Sequence, residues 1–282
     1  MSDAPNADQR AFWTDEAGHK WVAQQEAMDS LLAPVLEALL ERAGLSRGDR
    51  VLDIGCGAGT STLRAAEQVG PDGHVTGLDI SDTLLALAHK RARGAKALDF
   101  IHADAATHDF KPQSIDKLIS RFGVMFFDDT VAAFSHIRHA LKPGAQITLA
   151  TWGAIEENPY FKLAAKAARE VLGPMEKTDP DAPGPFSMRD PERVIPQLRA
   201  AGFKDVQADR KDLALTPSGG LDGFARIAMK IGPAEASIRH FVADQNQINA
   251  VRDSLTTSFK RFEDETGKVE IPAEIIFYTA KA

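Results

Sequence analysis

The stretch Val51-Leu52-Asp53-Ile54-Gly55-Cys56-Gly57-Ala58-Gly59-Thr60 decides the fold of this chain. Its first four residues are an apolar run with one acid, which is typical of a buried parallel strand. The three glycines at alternate positions permit a tight turn and let backbone N–H groups approach a ligand closely. The hydroxyl side chains at 60–62 offer capping oxygens for a helix that continues through residues 63–69. The pattern therefore predicts a strand, a glycine loop and a helix, in that order.

The charges around this loop indicate what it binds. The N-terminus of the predicted helix favours a carboxylate or another anionic group. Asp53 is expected to face the same crevice, where its negative charge suits a ligand that also carries a cationic amine. An amino acid has both groups. The stretch therefore predicts a site for a nucleotide linked to an amino acid, and it points to S-adenosylmethionine.

Composition sets broad limits on the function. The chain has 282 residues, 44% of them hydrophobic, which is enough for one large core or one core with an appended cap. A formal net charge of -7 argues against a general nucleic-acid surface, because phosphate contacts need clustered Lys and Arg. No apolar run approaches the roughly 20 residues of a membrane span, and the polar residues 1–10 do not resemble a secretory signal. The single cysteine, Cys56, cannot form an internal disulfide, so a reducing cytoplasm is expected.

Strands and helices are predicted to alternate after the glycine loop. Further strands are expected at 74–80, 98–103, 115–122 and 146–152, the last of them after the turn Lys142-Pro143-Gly144. Strands separated by helices with right-handed crossovers form a parallel sheet that is covered on both faces. The sequence therefore predicts an α/β fold. Two later stretches, 203–215 and 269–280, are also predicted to be strands.

The predicted strands carry polar residues where they end. Asp53, Asp79 and Asp104 close the first three strands, and Ser120 lies near the end of the fourth. In an open parallel sheet, ligands bind beyond the carboxyl ends of the strands, next to the first strand. These four side chains are therefore predicted to share one rim and to form the ligand site.

The order of these features resembles the class I S-adenosylmethionine-dependent methyltransferases, in particular the small-molecule branch similar to the ubiquinone/menaquinone-biosynthesis C-methyltransferases. The resemblance covers about residues 44–152 and includes the glycine motif, the acids at 79 and 104, and Leu141-Lys142-Pro143-Gly144-Ala145. Ala145 stands in place of the usual second glycine, and Ala201-Gly202-Phe203 matches the approach to the sixth strand. The resemblance implies a Rossmann-like, seven-stranded, mostly parallel sheet with helices on both faces, an antiparallel last strand and a helical cap.

The resemblance also implies S-adenosylmethionine as cofactor and S-adenosylhomocysteine as product. The loop is then expected to hold the methionine part, Asp79 the two ribose hydroxyls and Asp104 the adenine amino group. On this assignment, Asp79→Ala loses cofactor affinity while the fold stays intact. The implied cofactor-binding residues are Trp21, Asp53, Gly55, Cys56, Gly57, Gly59, Thr60, Asp79, Ile80, Asp104, Ala105, Arg121 and Phe122.

Three regions are predicted along the chain. Residues 1–40 form an N-terminal lid or helical segment, whose aromatic residues either cover the cofactor or pack the first helix onto the sheet. Residues 41–152 form the cofactor-binding core. Residues 153–282 supply the remaining strands and an inserted helical substrate cap, at about 155–200 and 216–266.

The acceptor side of the site is less defined by the sequence. Methyl transfer from a sulfonium needs alignment and exclusion of water, and a general base only when the acceptor must lose a proton. The candidates for catalysis are His19, Arg121, Tyr160 and His240. For each of them a structural role, on the surface, in an ion pair or in the core, is the alternative to a catalytic one. No metal site is predicted, because His136 and His139 lack a third ligand nearby in sequence. An apolar pocket mouth is indicated by Phe122, Met125, Phe126, Phe127 and Trp152.

The predicted function is methyl transfer from S-adenosylmethionine to a small, partly apolar acceptor by in-line displacement. One alternative is a protein that binds the cofactor or its product without turnover. Another is a dinucleotide-binding enzyme, but Asp53 would repel the negative pyrophosphate that such an enzyme holds at this loop. Asn158-Pro159-Tyr160 resembles the Asn-Pro-Pro-Tyr tetrapeptide by which amino-methylating DNA enzymes hold a flipped base. One proline is missing, however, and the motif follows the fifth strand and not the fourth, so methylation of a nucleic-acid base is not indicated. A small-molecule partner is therefore expected, and the oligomeric state stays open.

Overall fold

A computed structural model describes residues 6–176 and 179–282 of the chain. Residues 1–5 of the predicted N-terminal segment and residues 177–178 of the expected loop lie outside the described part. In that part, no helix has the length and apolar character needed to cross a membrane.

The centre of the structure is one seven-stranded sheet. The strand order is β3-β2-β1-β4-β5-β7-β6, in which β1 to β5 pair in parallel and β7 runs antiparallel to both neighbours. The predicted fold class, including the antiparallel last strand, is confirmed. The strands are β1 Arg50–Ile54, β2 His74–Asp79, β3 Leu98–His102, β4 Ile115–Arg121, β5 Leu141–Trp152, β6 Lys204–Leu215 and β7 Ile271–Lys281.

Helices surround the sheet on both sides and extend beyond its ends. The α-helices are α1 Ala7–Thr14, α2 Glu16–Ala23, α3 Gln25–Leu31, α4 Ala33–Ala43, α5 Thr60–Val69, α6 Asp82–Arg91, α7 Thr130–Arg138, α8 Pro159–Leu172, α9 Pro191–Ala200, α10 Gly220–Ala228, α11 Pro233–His240 and α12 Gln245–Phe259. Short 3-10 helices span Val124–Phe126, Ile155–Glu157 and Lys260–Phe262.

The central strand is buried on both faces, as a covered parallel sheet requires. Val51, Leu52 and Ile54 of β1 are at most 2% exposed. β1 pairs with β2 on one side and β4 on the other. The chain passes from β1 to β2 and β3 on one side and then continues with β4 on the other side of β1. This reversal of the strand order creates the crevice where such sheets bind ligands.

The start of β5 differs from the prediction. The sequence predicts a turn at Lys142-Pro143-Gly144 before a strand at 146, but β5 already begins at Leu141, which pairs with Ile115. The β4–β5 register shifts between Ile115 and Lys117, and Gly144 donates its N–H to the Ala282 carbonyl. The prediction of a turn is wrong because this irregular pairing accommodates proline and glycine at the beginning of a strand.

Helices from both ends of the chain meet above the carboxyl ends of the strands. α8, which lies between β5 and β6, packs against α11 and α12, which lie between β6 and β7. On the other side, Lys20 of α2 forms an ion pair with Glu235 of α11. The N-terminal helices and the later helices are thus joined over the end of the sheet where the crevice lies.

Candidate functional site

The glycine loop lies where β1 and the segment after β4 touch. The Gly55 and Cys56 N–H groups donate to the Leu78 carbonyl at 2.8 and 3.2 Å. A Cβ on Gly55 would lie 2.4 Å from the Gly123 Cα, so a larger residue does not fit there. At Gly57, by contrast, φ is +55° and a Cβ would meet no atom within 4 Å. The first glycine allows a close backbone contact, and Gly57 leaves space open beside the loop.

Asp53 lies behind the loop and not in the open crevice. Its side chain is fully buried, and its Oδ2 accepts hydrogen bonds from the hydroxyls of Ser61 at 2.6 Å and Thr62 at 2.7 Å. Its Oδ1 has no hydrogen-bond partner among the described residues. Burial raises the pKa of Asp53 to about 6, although the two hydroxyls oppose this.

The predicted capping role of the hydroxyl residues is wrong. The N-cap of α5 is Gly59, which makes no side-chain capping bond. Ser61 and Thr62 donate to Asp53 instead, and Thr60 donates to Asp29. A buried carboxylate without donors costs more free energy than a helix end that water can reach, so the hydroxyls satisfy the carboxylate.

Asp79 connects the end of β2 to the glycine loop. Its Oδ2 accepts the Gly57 N–H at 2.7 Å, and its Oδ1 accepts the Ser81 N–H at 2.9 Å. Burial raises the pKa of Asp79, and these backbone hydrogen bonds lower it in part. A carboxylate has about four acceptor positions, so Asp79 keeps the capacity to accept two further hydroxyls.

Asp104 is buried and contacts the N-terminal segment. It accepts the Asn6 side-chain amide at 3.0 and 2.9 Å and the Ala106 N–H at 2.9 Å. Asn6 is also paired with Asp128, because each backbone N–H donates to the other's side-chain oxygen, at 2.6 and 2.8 Å. The first described residue therefore covers the part of the crevice that Asp104 borders. The sequence analysis did not identify Asn6.

The rim residues enclose a cavity of about 340 Å³, within the usual range for ligand pockets. Asp53 and Gly59 are not among its lining residues, and His19 and His240 are exposed and also lie outside it. The candidate roles of these two histidines in the pocket are therefore not supported by their positions. The predicted residues that do line the cavity are Trp21, Gly55, Cys56, Gly57, Thr60, Asp79, Ile80, Asp104, Ala105, Arg121, Phe122 and Tyr160.

Aromatic side chains form part of the cavity lining. Phe122 stacks on Trp152 with 4.5 Å between ring centroids and 7° between planes, and Phe161 meets Trp152 edge-on at 5.0 Å. Phe122 has a φ of 66°, a left-handed conformation that is costly for a bulky residue and is found mostly where function requires it. Trp13 and Phe126 pack edge-on at 5.2 Å across the lid side. The rings of Phe122, Trp152 and Phe161 thus form one aromatic wall of the cavity, and Trp13 and Phe126 form another beside the N-terminal helices.

Tyr160 lines the cavity, but its hydroxyl is occupied by a structural hydrogen bond. The Tyr160 hydroxyl donates to the Ile231 carbonyl at 2.8 Å. Burial raises the pKa of Tyr160, so the hydroxyl stays protonated at neutral pH. This hydroxyl fixes the α10–α11 connection to α8 and is poorly suited to remove a proton.

Tyr160→Phe is therefore expected to keep the rate constant of any methyl transfer within about threefold of the wild type. Loss of one buried hydrogen bond should lower the free energy of unfolding by about 1 kcal/mol. Steady-state kinetics and urea unfolding measure the two effects. If the variant folds normally but turns over about two orders of magnitude more slowly, the hydroxyl takes part in the reaction instead.

No group of three His, Cys, Asp or Glu side chains within residues 6–176 and 179–282 is arranged to hold a metal ion. His136 instead contacts the His108 carbonyl through Nε2 at 2.7 Å.

Sequence comparison shows which proteins part of this chain resembles. Residues 45–180, just under half of the chain, match the family described as "Methyltransferase domain". Together with the fold, this match supports a class I S-adenosylmethionine-dependent methyltransferase, with S-adenosylmethionine as its cofactor.

Among curated proteins, the chain is similar to demethylmenaquinone methyltransferase of Staphylococcus aureus (strain JH9). The two are 29% identical over 109 residues, which cover 39% of this chain and 45% of that protein. The chain thus spans less than half the length of the curated relatives it matches. This partial match confirms the predicted resemblance to enzymes of quinone biosynthesis.

Solved structures show the same fold at low sequence identity. The phosphoethanolamine N-methyltransferase 2 of Haemonchus contortus, in complex with S-adenosyl-L-methionine, is 20% identical, covers 96% of this chain and 59% of its own, and has a TM-score of 0.60. A putative methyltransferase from an antibiotic biosynthesis pathway of Anabaena variabilis is 16% identical, with coverages of 86% and 95% and a TM-score of 0.59. The [4+2]-cyclase SpnF is 20% identical, with coverages of 88% and 80% and a TM-score of 0.54. This similarity concerns the fold alone.

The cavity residues fit S-adenosylmethionine. Gly57 leaves open space beside the loop, and Asp79 and Asp104 place buried carboxylates on the lining. Asp53 Oδ1 and Arg121 Nη1 are buried polar atoms without partners among the described residues. Buried polar atoms in native structures are almost always satisfied. Arg121 lines the cavity, so a ligand with an anionic group suits this site.

Proposed function

We propose that this protein transfers the methyl group of S-adenosylmethionine to a small, planar, largely apolar acceptor by in-line displacement. The observation that carries the proposal is one cavity that has the three rim features of a nucleoside site and a wall of stacked aromatic rings. When bound, the cofactor supplies an electrophilic methyl group on a sulfonium.

The polar rim of the cavity is assigned to the cofactor. Asp79 is proposed to accept both ribose hydroxyls, and Asp104 to accept the adenine amino group beside Asn6. The glycine loop, with Gly57 next to open space, is proposed to hold the methionine part. These contacts fix the reactive carbon toward the acceptor, and alignment of this kind accounts for much of the rate of a displacement reaction.

The aromatic wall that contains Phe122 is assigned to the acceptor. Among the described residues, the charged side chains that line the cavity are Asp29, Asp79, Asp104 and Arg121. Asp79 and Asp104 are assigned to the cofactor, and Arg121 lies close to Asp29. The aromatic walls favour stacking with a flat ring and provide no cation for a phosphorylated acceptor. The name of the Staphylococcus aureus relative, a demethylmenaquinone methyltransferase, is consistent with a ring acceptor.

The lid, the cap and the cellular location are part of the same proposal. Residues 6–40 of the predicted lid are proposed to close over the cofactor, and the helices within 155–200 and 216–266 to cover the acceptor. Cys56 is buried and free, which is consistent with a cytoplasmic location.

The first test is thermal unfolding with S-adenosylhomocysteine and, separately, with NAD. Ligand at about 100 times its dissociation constant adds roughly 2.7 kcal/mol, and each kcal/mol raises the Tm of a domain of this size by about 2–4 °C. We expect a shift with S-adenosylhomocysteine alone. A shift with NAD alone would contradict the assignment of the cofactor.

The second test identifies the acceptor and separates an enzyme from a binding protein. The protein is incubated with methyl-labelled S-adenosylmethionine and a metabolite extract, and products are read by mass spectrometry. We expect label in a product with an aromatic or quinol-like ring. Tight cofactor binding without label transfer to any component of acceptor-rich extracts would favour a protein that binds the cofactor without turnover.

A further inference from the structure

Arg121 is a cationic side chain at the end of β4 with one unused donor group. Its side chain is only 13% exposed, and its Nη2 lies 3.6 Å from Asp29 Oδ1. Its Nη1 is buried and has no hydrogen-bond partner among the described residues. Arg121 also lines the cavity. A buried guanidinium with an unsatisfied N–H is unfavourable unless a ligand supplies the missing acceptor.

Asp29 of α3 does not supply that acceptor, because its contact with Arg121 is to Nη2 and other donors share its oxygens. Thr60 Oγ1 lies 2.7 Å from each Asp29 oxygen, and Arg91 Nη2 donates to Oδ2 at 2.9 Å. Gln25 Nε2 donates to Oδ2 as well. Asp29 therefore orients Arg121 from one side and leaves its other side to the cavity.

Arg91, the second arginine beside Asp29, already has hydrogen-bond partners. Arg91 Nη1 donates to the Ala58 carbonyl at 2.7 Å and to Thr60 Oγ1 at 2.8 Å. Two guanidinium groups thus face Asp29, and the buried Asp53 is a second carboxyl group that interacts with Arg121. These side chains lie next to the start of α5, and Thr60 and Ser61 of this helix line the cavity. A helix N-terminus adds further attraction for an anion at the same place.

We propose that Arg121 binds the α-carboxylate of the cofactor's methionine part through Nη1, and that Asp29 is a positioning residue that aims the guanidinium. This inference rests on the proposed function, since it names a contact to the same cofactor. A guanidinium matches a carboxylate in charge and geometry. The site thereby distinguishes the complete cofactor from nucleosides that lack an amino-acid carboxylate. It also commits Arg121 to the cofactor and leaves the acceptor end without a cation.

The inference is tested by calorimetry with two ligands. S-adenosylhomocysteine carries the carboxylate, and decarboxylated S-adenosylhomocysteine keeps the amine but lacks it. The wild type is expected to bind the first about 10- to 100-fold more tightly, the range for one hydrogen-bonded charge contact. In Arg121→Met this preference should fall to about threefold or less, whereas Arg121→Lys should keep part of it because the charge remains.

Asp29→Asn tests the positioning role, and Arg64→Met is the matched control. Asp29→Asn should lower the preference for the carboxylate ligand several-fold and leave affinity for the decarboxylated ligand nearly unchanged. A purely structural role would weaken both ligands equally. Arg64 is an arginine on the surface of α5, 43% exposed, that pairs with Glu37, and its replacement should change neither affinity.

The outcomes separate this inference from the proposed function. If neither ligand binds the wild type, the proposed function fails. If both bind the wild type with equal affinity, or if the Arg121 variants lose the same factor for both ligands, the carboxylate assignment is overturned and the cofactor assignment stands. If Arg121→Met does not fold, the ligand preferences of Arg121→Lys and Asp29→Asn decide the question.

Discussion

Asp79→Asn is expected to weaken S-adenosylhomocysteine binding by about 100- to 10,000-fold. Two ribose hydroxyls that donate to a buried carboxylate contribute roughly 1.5–3 kcal/mol each, and about 1.4 kcal/mol corresponds to a factor of ten in affinity. The structure leaves acceptor capacity for both, because the Gly57 and Ser81 N–H groups occupy only one position on each Asp79 oxygen. The asparagine amide donates where the ribose needs an acceptor. Calorimetry measures the loss.

Asp79→Asn is preferred to Asp79→Ala because it disturbs the fold less. Asp79→Ala, for which the sequence predicts an intact fold, would also leave the Gly57 and Ser81 N–H groups without their acceptor and should lower the Tm. Asp79→Asn keeps one acceptor oxygen and limits that effect. Asp82→Asn is the matched control, because Asp82 is exposed in the first turn of α6 and its loss should leave affinity unchanged. Equal affinities for wild type and Asp79→Asn would contradict the ribose assignment.

The placement of Asp79 and Asp104 on one cavity is predictable from local pattern and one rule of topology. Asp79 and Asp104 end short apolar runs, and parallel strands place their carboxyl ends on one rim. Both side chains do line one cavity in the structure. The glycine motif is equally local, since Gly55 and Gly57 follow directly from the first strand. Such features need no knowledge of which distant segments touch.

Features that depend on distant contacts are not predictable in this way. Asn6 contacts Asp104, which is 98 residues away, and Asp29 contacts Arg91 at a separation of 62 residues. In the sequence, each is an ordinary polar residue with no motif around it. The error at Thr60, Ser61 and Thr62 has a related cause. A local rule assigns their hydroxyls to the helix end, but burial of Asp53 behind the loop creates a stronger demand for donors.

The burial of Asp53 determines how the stability of the protein depends on pH. Its pKa rises from 3.8 to about 6, so the folded protein holds this proton more tightly than the unfolded chain does. The ionised form is then less favourable in the folded state, by about 3 kcal/mol at 1.36 kcal/mol per pKa unit. This destabilisation is absent below about pH 4, develops between about pH 4 and 6, and is complete above that.

Asp53→Asn is therefore expected to stabilise the free protein at about pH 7.5 and to leave its stability nearly unchanged at about pH 4. The neutral amide oxygen can still accept from Ser61 and Thr62 while avoiding the buried charge. A gain of about 2–3 kcal/mol corresponds to a rise in Tm on the order of 5 °C. Thermal unfolding of wild type and variant at both pH values measures the difference.

Asp116→Asn is a control of opposite sign. Burial would raise the pKa of Asp116, but the hydrogen bond from Lys142 and other partners outweigh it, so its pKa is lowered. Asp116→Asn should therefore destabilise the protein at neutral pH. A lower Tm for Asp53→Asn at about pH 7.5 would show that the ionised carboxylate stabilises the free protein through Arg121. The expected result would indicate instead that Asp53 is kept at a cost in stability, which its hydrogen bonds from Ser61 and Thr62 offset only in part.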